Sequence, residues 1–141
     1  MGRIDMGRVL LGGIVAGIIV DIFEYVLNGI VLANDWTNLA AAHNLPMMGM
    51  HEIIAFNVMG LVIGIAAVWT YAAIRPRFGA GPKTAVYAAL LIWVVGYLLA
   101  DATPLIIGLF SMSMFVALVG VGLVEIIVAT VAGAYFYNEP V

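Results

Sequence analysis

Five carboxylates, Asp21, Glu24, Glu52, Asp101 and Glu125, lie inside apolar stretches of this 141-residue chain. Its five cationic residues, Arg3, Arg8, Arg75, Arg77 and Lys83, all lie outside those stretches. A carboxylate at mid-membrane costs roughly 2.5–3.5 kcal/mol on insertion scales, and more when nothing partners it. Acids held there without a basic residue must be protonated, share protons, bind cations or meet another chain. The chemistry on offer is therefore cation handling, with a proton or a metal ion as the species handled. Asp21, Glu24 and Glu125 form the expected centre, helped by Asn28, Asn57 and Asp101.

If the ion is a metal, the expected ligands are Glu24 and Glu125, joined by Glu52 and His51 near the outer end of the second span. His51-Glu52-Ile53-Ile54-Ala55 begins like a zinc-protease motif, but alanine stands where the second histidine is required. Ferritin-like di-iron bundles need a Glu-x-x-His pair on each of two helices, and the chain offers none. The thioethers of Met47, Met48, Met50, Met112 and Met114 sit on the outer rim; such groups can bind copper(I), though apolar packing is their commoner use. Cysteine is absent, which excludes disulfides, iron–sulfur clusters and thiolate chemistry. No phosphate-binding glycine loop, nucleophile elbow or nucleic-acid patch is present, so nucleic acid is not an expected partner. His43 falls in a loop. With His51 the only histidine near a span, a metal- or haem-dependent enzyme is the least favoured function.

The elements that carry these residues follow from composition. Hydrophobic residues make up 65% of the chain, charged residues 9%, and the mean hydropathy is +1.17. The class is integral membrane, and long apolar runs without strict alternation favour helices over a barrel. We expect an all-α, up-down-up-down bundle of four transmembrane helices, one domain over residues 1–141, with spans at about 9–32, 47–74, 84–109 and 114–137. The basic start at Arg3 and Arg8 is followed by an apolar run too long and too acidic for a cleaved signal, so it reads as a retained first span. All cations fall before span 1 or between spans 2 and 3, so the positive-inside rule places both termini in the cytoplasm. Trp36 marks the outer interface, and Trp69, Tyr71, Tyr135 and Tyr137 the inner one. Pro104 is expected to bend or break the far end of span 3.

Helical spacing then predicts which faces meet. Gly13, Gly17 and Asp21 recur every four residues, with Glu24 and Asn28 close to the same line, so a glycine groove runs into an acidic face. Span 2 offers Asn57, Gly60, Gly64 and Ala67; span 4 offers Gly122, Glu125, Ala129 and Gly133. Glu52 lies about 140° around its helix from Asn57, which puts Asn57 in the core of the cluster and Glu52 at its mouth. In span 3, Trp93, Tyr97 and Asp101 share a face, so the Tyr97 hydroxyl is expected to reach Asp101.

Gly12-Gly13-x-x-Ala16-Gly17, followed by Glu24 and Leu27-Asn28, resembles small, uncharacterised four-span bacterial membrane proteins. The resemblance covers mainly span 1; it implies a bacterial inner membrane and no particular activity. Small multidrug exporters also have four spans and an essential glutamate in the first. This chain is longer, lacks the aromatic pattern leading to that glutamate, and carries additional acids. The leading expectation is a cation-binding or cation-conducting protein in the lipid bilayer, as a homo-oligomer. The runner-up is an accessory subunit of a larger membrane complex, packing through its glycine-rich faces.

Overall fold

A computed structural model describes residues 3–138. The described residues are helical apart from short links and contain no strand. Helix α1 spans Met6–Val26 and continues through a π turn at Leu27–Val31. A short helix α2, Ala33–Ala42, follows it. Helix α3 is Met50–Phe78; α4, Pro82–Trp93, passes through a second π turn, Val94–Leu98, into α5, Leu99–Ile106; and α6 is Met112–Tyr135. Four segments, Met6–Val31, Met50–Phe78, Pro82–Ile106 and Met112–Tyr135, have the length and hydropathy to cross a membrane. At about 1.5 Å per residue each exceeds the roughly 30 Å hydrocarbon core.

Local chemistry fixes the ends. The Asp5 carboxylate accepts the Arg8 backbone N–H at 3.1 Å and so caps α1. Pro82 occupies the first turn of α4, after Gly79 and Gly81 with φ of 86° and 126°. Ser111 caps α6 by accepting the Met114 N–H at 3.1 Å. Pro104 does not break its helix. It lies inside α5, where its carbonyl accepts the N–H groups of Leu109 and Phe110 in the link that follows.

The tightest packing is glycine against backbone. A Cβ built on Gly13 would stand 2.6 Å from the Cα of Ile65, and one on Gly17 would stand 2.6 Å from the Cα of Leu61. On the facing helix, a Cβ on Gly64 would stand 2.6 Å from the Cα of Gly17 and 2.5 Å from the carbonyl oxygen of Gly13. Only hydrogen fits at these positions, so α1 and α3 meet backbone to backbone. A second close approach joins α1 to α6, where a Cβ on Gly133 would stand 2.6 Å from the Gly12 carbonyl oxygen. Around these seams lies a small-residue core of Ala16, Ala67, Ala85, Ala88, Ala89 and Ala129, all fully buried.

At the end of the bundle where Asp5 meets Tyr137, termed its inner end, two expectations change. Tyr71 and Tyr137 are buried rather than lying at the rim, and their rings meet edge to face at 6.2 Å. Their hydroxyls accept backbone N–H groups, Tyr71 from Gly81 at 3.1 Å and Tyr137 from Asp5 at 3.2 Å. The phenols tie chain turns together because those N–H groups have no helical partner.

The outer end of α3 is unlike the rest. From Met50 to Met59 every residue is exposed, although the same helix is buried at Gly60, Gly64, Ala67 and Val68.

Candidate acidic site in the outer half of the bundle

Glu125 is the only fully buried charged-type side chain among the described residues, at 0% exposure. It projects from α6, one turn beyond Gly122, and that glycine makes room for Tyr97: a Cβ there would collide with the Tyr97 ring. Tyr97 reaches across and donates its hydroxyl to Glu125 Oε1 at 2.7 Å. Tyr97 therefore does not serve Asp101, as its spacing predicted. It lies within the π turn Val94–Leu98, whose extra residue changes the phase between Tyr97 and Asp101. The other oxygen, Glu125 Oε2, is buried without a hydrogen-bond donor.

The group opposite it is another carboxyl, Glu24 of α1, within side-chain hydrogen-bonding reach. Glu24 is half-buried, and its Oε2 accepts the Asn28 side-chain N–H at 2.6 Å. Asn28 Oδ1 in turn accepts the indole N–H of Trp36 at 2.9 Å. The polar chain thus runs Trp36, Asn28, Glu24, Glu125, Tyr97. It spans α2, α1, α6 and the second π turn, and each π turn contributes one of its members.

Asp21 and Asp101 border this chain. Both are half-buried, and each lies near enough to Glu24 to interact with it electrostatically. Asp21 lies over Gly60, where a Cβ would strike its carboxylate. The carboxylate thus fills the gap between α1 and α3 at the point where the glycine seam ends.

The remaining expected residues do not join the cluster. Asn57, placed by its spacing in the core, is exposed and donates to the Ile53 carbonyl of its own helix at 2.8 Å. The reason is the course of α3: past Gly60 the helix no longer packs on its own chain, so no face of it is central. Glu52 is exposed and accepts the Gly49 backbone N–H at 2.8 Å, capping α3. His51 is exposed beside it. The proposed metal set of Glu24, Glu125, Glu52 and His51 is therefore not assembled. No group of three or more histidines or acids among the described residues is arranged to hold a metal ion.

Sequence spacing put Asp21, Glu24 and Glu125 in one expected cluster, and the structure brings them near one another; the spacing missed the hydrogen bonds from Tyr97 to Glu125 and from Trp36 to Asn28. The available signal was a glycine in each π turn, Gly29 near the end of its span and Gly96 in the middle of its own, where glycine weakens an α-helix. No protein-family model matches the chain, and neither a curated protein nor a solved structure matches it.

Proposed function

We propose that this chain is an integral membrane protein whose Glu24–Glu125 pair binds a single proton, as the cation-handling centre of a proton-coupled or proton-conducting device. The carrying observation is the buried, donor-less Glu125 Oε2 facing a second carboxyl. Two ionised carboxylates side by side in an apolar core are strongly unfavourable. One proton between them supplies the missing donor and makes a short, charge-assisted O–H···O bond.

The hydrogen-bond pattern favours a proton over a metal ion. Asn28 and Tyr97 already donate to one oxygen of each carboxyl, and their N–H and O–H groups direct positive ends into the site. A hard cation such as magnesium or calcium requires about six or more oxygen ligands. Half-buried Asp21 and Asp101 are the groups through which a proton would pass between the pair and the open side of the cluster.

The reversed order of contacts along α1 and α3, with Gly13 against Ile65 and Gly17 against Leu61, supports an up-down arrangement. The distribution of basic residues favours cytoplasmic termini, and the resemblance of the first span to small bacterial membrane proteins favours a bacterial inner membrane.

The test is carbodiimide labelling, which modifies protonated carboxyls in apolar surroundings, read by mass spectrometry on protein in lipid nanodiscs. Label on Glu125 or Glu24 that is lost at alkaline pH is the expected result. In proteoliposomes with an internal pH dye, Glu125→Gln and Glu24→Gln should abolish acid-driven proton entry. Absence of label at every pH, or unchanged entry in both variants, refutes the proposal.

A second reading, an oligomer or an accessory subunit of a larger complex, draws on the exposed outer part of α3. The chain has no cysteine, so Asn57→Cys provides a single thiol there. Disulfide-linked dimers on oxidation support a homo-oligomer; their absence leaves lipid or another protein as the cover.

A further inference from the structure

We infer that Trp36 is a positioning residue for the carboxyl pair, acting through Asn28 from the short helix α2; this rests on the proton-binding reading above. An indole N–H can only donate, and a side-chain amide has one donating and one accepting end. Because Trp36 Nε1 donates to Asn28 Oδ1, the amide nitrogen must face Glu24, where it donates at 2.6 Å. Reversing the amide would set two N–H groups against each other and its oxygen against a carboxylate. The indole therefore fixes which end of the amide Glu24 meets. Glu24 Oε2 is engaged by Asn28, and its other oxygen is left for Glu125.

Trp36 is itself held firmly. Its ring meets Phe110, in the link before α6, edge-on at 5.6 Å, and it packs on the cluster of Leu27, Leu32, Met114 and Leu118. Its backbone N–H donates to the Leu32 carbonyl at 3.0 Å. No residue of α2 is fully buried; besides Trp36, only Ala33, Leu39 and Ala40 are half-buried. This largely exposed helix is thus coupled to the buried pair through one indole and one amide. The coupling runs both ways: occupancy of the pair must be felt at Trp36, and displacement of α2 must alter the pair's hold on its proton.

The titratable groups facing the pair are Asp21 on α1, Tyr97 in the second π turn and Asp101 on α5; Asp35 is the acid next to Trp36 on α2. Gly60, beneath Asp21, is what α3 presents to α1 nearest this level.

The experiment uses the full chain with Trp69→Phe and Trp93→Phe, so that Trp36 is the sole tryptophan, in zwitterionic nanodiscs. Its emission is followed across pH beside carbodiimide labelling of Glu125. The expected result is a step in emission at the pH where labelling is lost. The step should remain in Asp35→Asn and vanish in Asn28→Leu, which keeps the side chain's size and removes both hydrogen-bonding ends. A labelling transition without an emission step overturns the role of Trp36 and leaves the carboxyl pair standing. So does an emission step that survives Asn28→Leu. No labelling at any pH overturns both. If Asn28→Leu does not fold, as judged by circular dichroism, the comparison of emission with labelling in the two-substitution background decides alone.

Discussion

The inner and outer halves of this bundle are built on opposite principles. Inward of Asp21, helices α1, α3 and α6 meet through Gly12, Gly13, Gly17, Gly64 and Gly133, with backbone atoms where side chains would normally be. Outward of it, α1 carries Glu24 and the π turn that follows carries Asn28, α3 runs exposed from Met50 to Met59, and both π turns interrupt the helical ladders. In the inner half the glycine seams leave no room even for a methyl group. The outer half has polar groups whose partners could be exchanged while the helices stay in place. A close-packed clamp at one end leaves the other end free to hold an unfavourable charge cluster and to be open beside it.

The strongest way to break this contrast is at the seam. Gly64→Ala places a Cβ against the backbone of Gly13 and Gly17 and is expected to lower stability by about 3 kcal/mol, the upper range for overpacking. Gly120→Ala, with open space around it, is the matched control and should be neutral or slightly stabilising. Reversible unfolding in mixed detergent, followed by circular dichroism, measures both. Equal effects at the two glycines would remove the distinction between seam and surface.

Next in size is the polar cluster. Tyr97→Phe removes the donor to Glu125 Oε1 and should lower stability by about 2 kcal/mol. Adding Glu125→Leu to it replaces both partners by apolar groups and should recover most of that loss, while abolishing proton entry. Failure of the double variant to recover would mean that the Tyr97 hydroxyl stabilises the bundle by something other than its bond to Glu125.

The exposed part of α3 should respond least. Glu52→Ala removes the acceptor for the Gly49 N–H and is expected to lower stability by about 0.5 kcal/mol. Asn57→Leu should change stability by less than about 0.5 kcal/mol and leave proton entry as it was. An Asn57 variant that stops proton entry would put the second span back into the site and blur the division drawn here.

Much of this architecture was legible in the residues. Small residues four apart announce close helix approach, because nothing but hydrogen fits between backbones; this is why Gly13 and Gly17, and separately Gly60 and Gly64, marked faces open to a neighbour, whereas that these two faces meet each other is seen only in the structure. Gly122, Glu125, Ala129 and Gly133 likewise predicted the inward face of α6. Asn57 was misplaced because a stripe on one helix says nothing of whether a neighbour continues alongside it. Past Gly60, with the Asp21 carboxylate in the gap, none does. Tyr97 was matched to the wrong acid because four-residue spacing holds only for an unbroken α-helix. Trp36 read as an interface marker because a hydrogen bond between residues eight apart depends on how the chain turns between them.

The two π turns carry a consequence for insertions and deletions. Removing a residue from an ordinary transmembrane helix rotates everything beyond it by about 100° and turns its buried face outward. A π turn already holds one residue more than the α-helix needs. Deleting a residue within Val94–Leu98 should therefore convert that turn to α-helix and keep Asp101 facing as it does, whereas deleting Leu91 should swing it away. At these two places the chain has length to spare, and they are where a residue could be gained or lost over time without refolding the bundle.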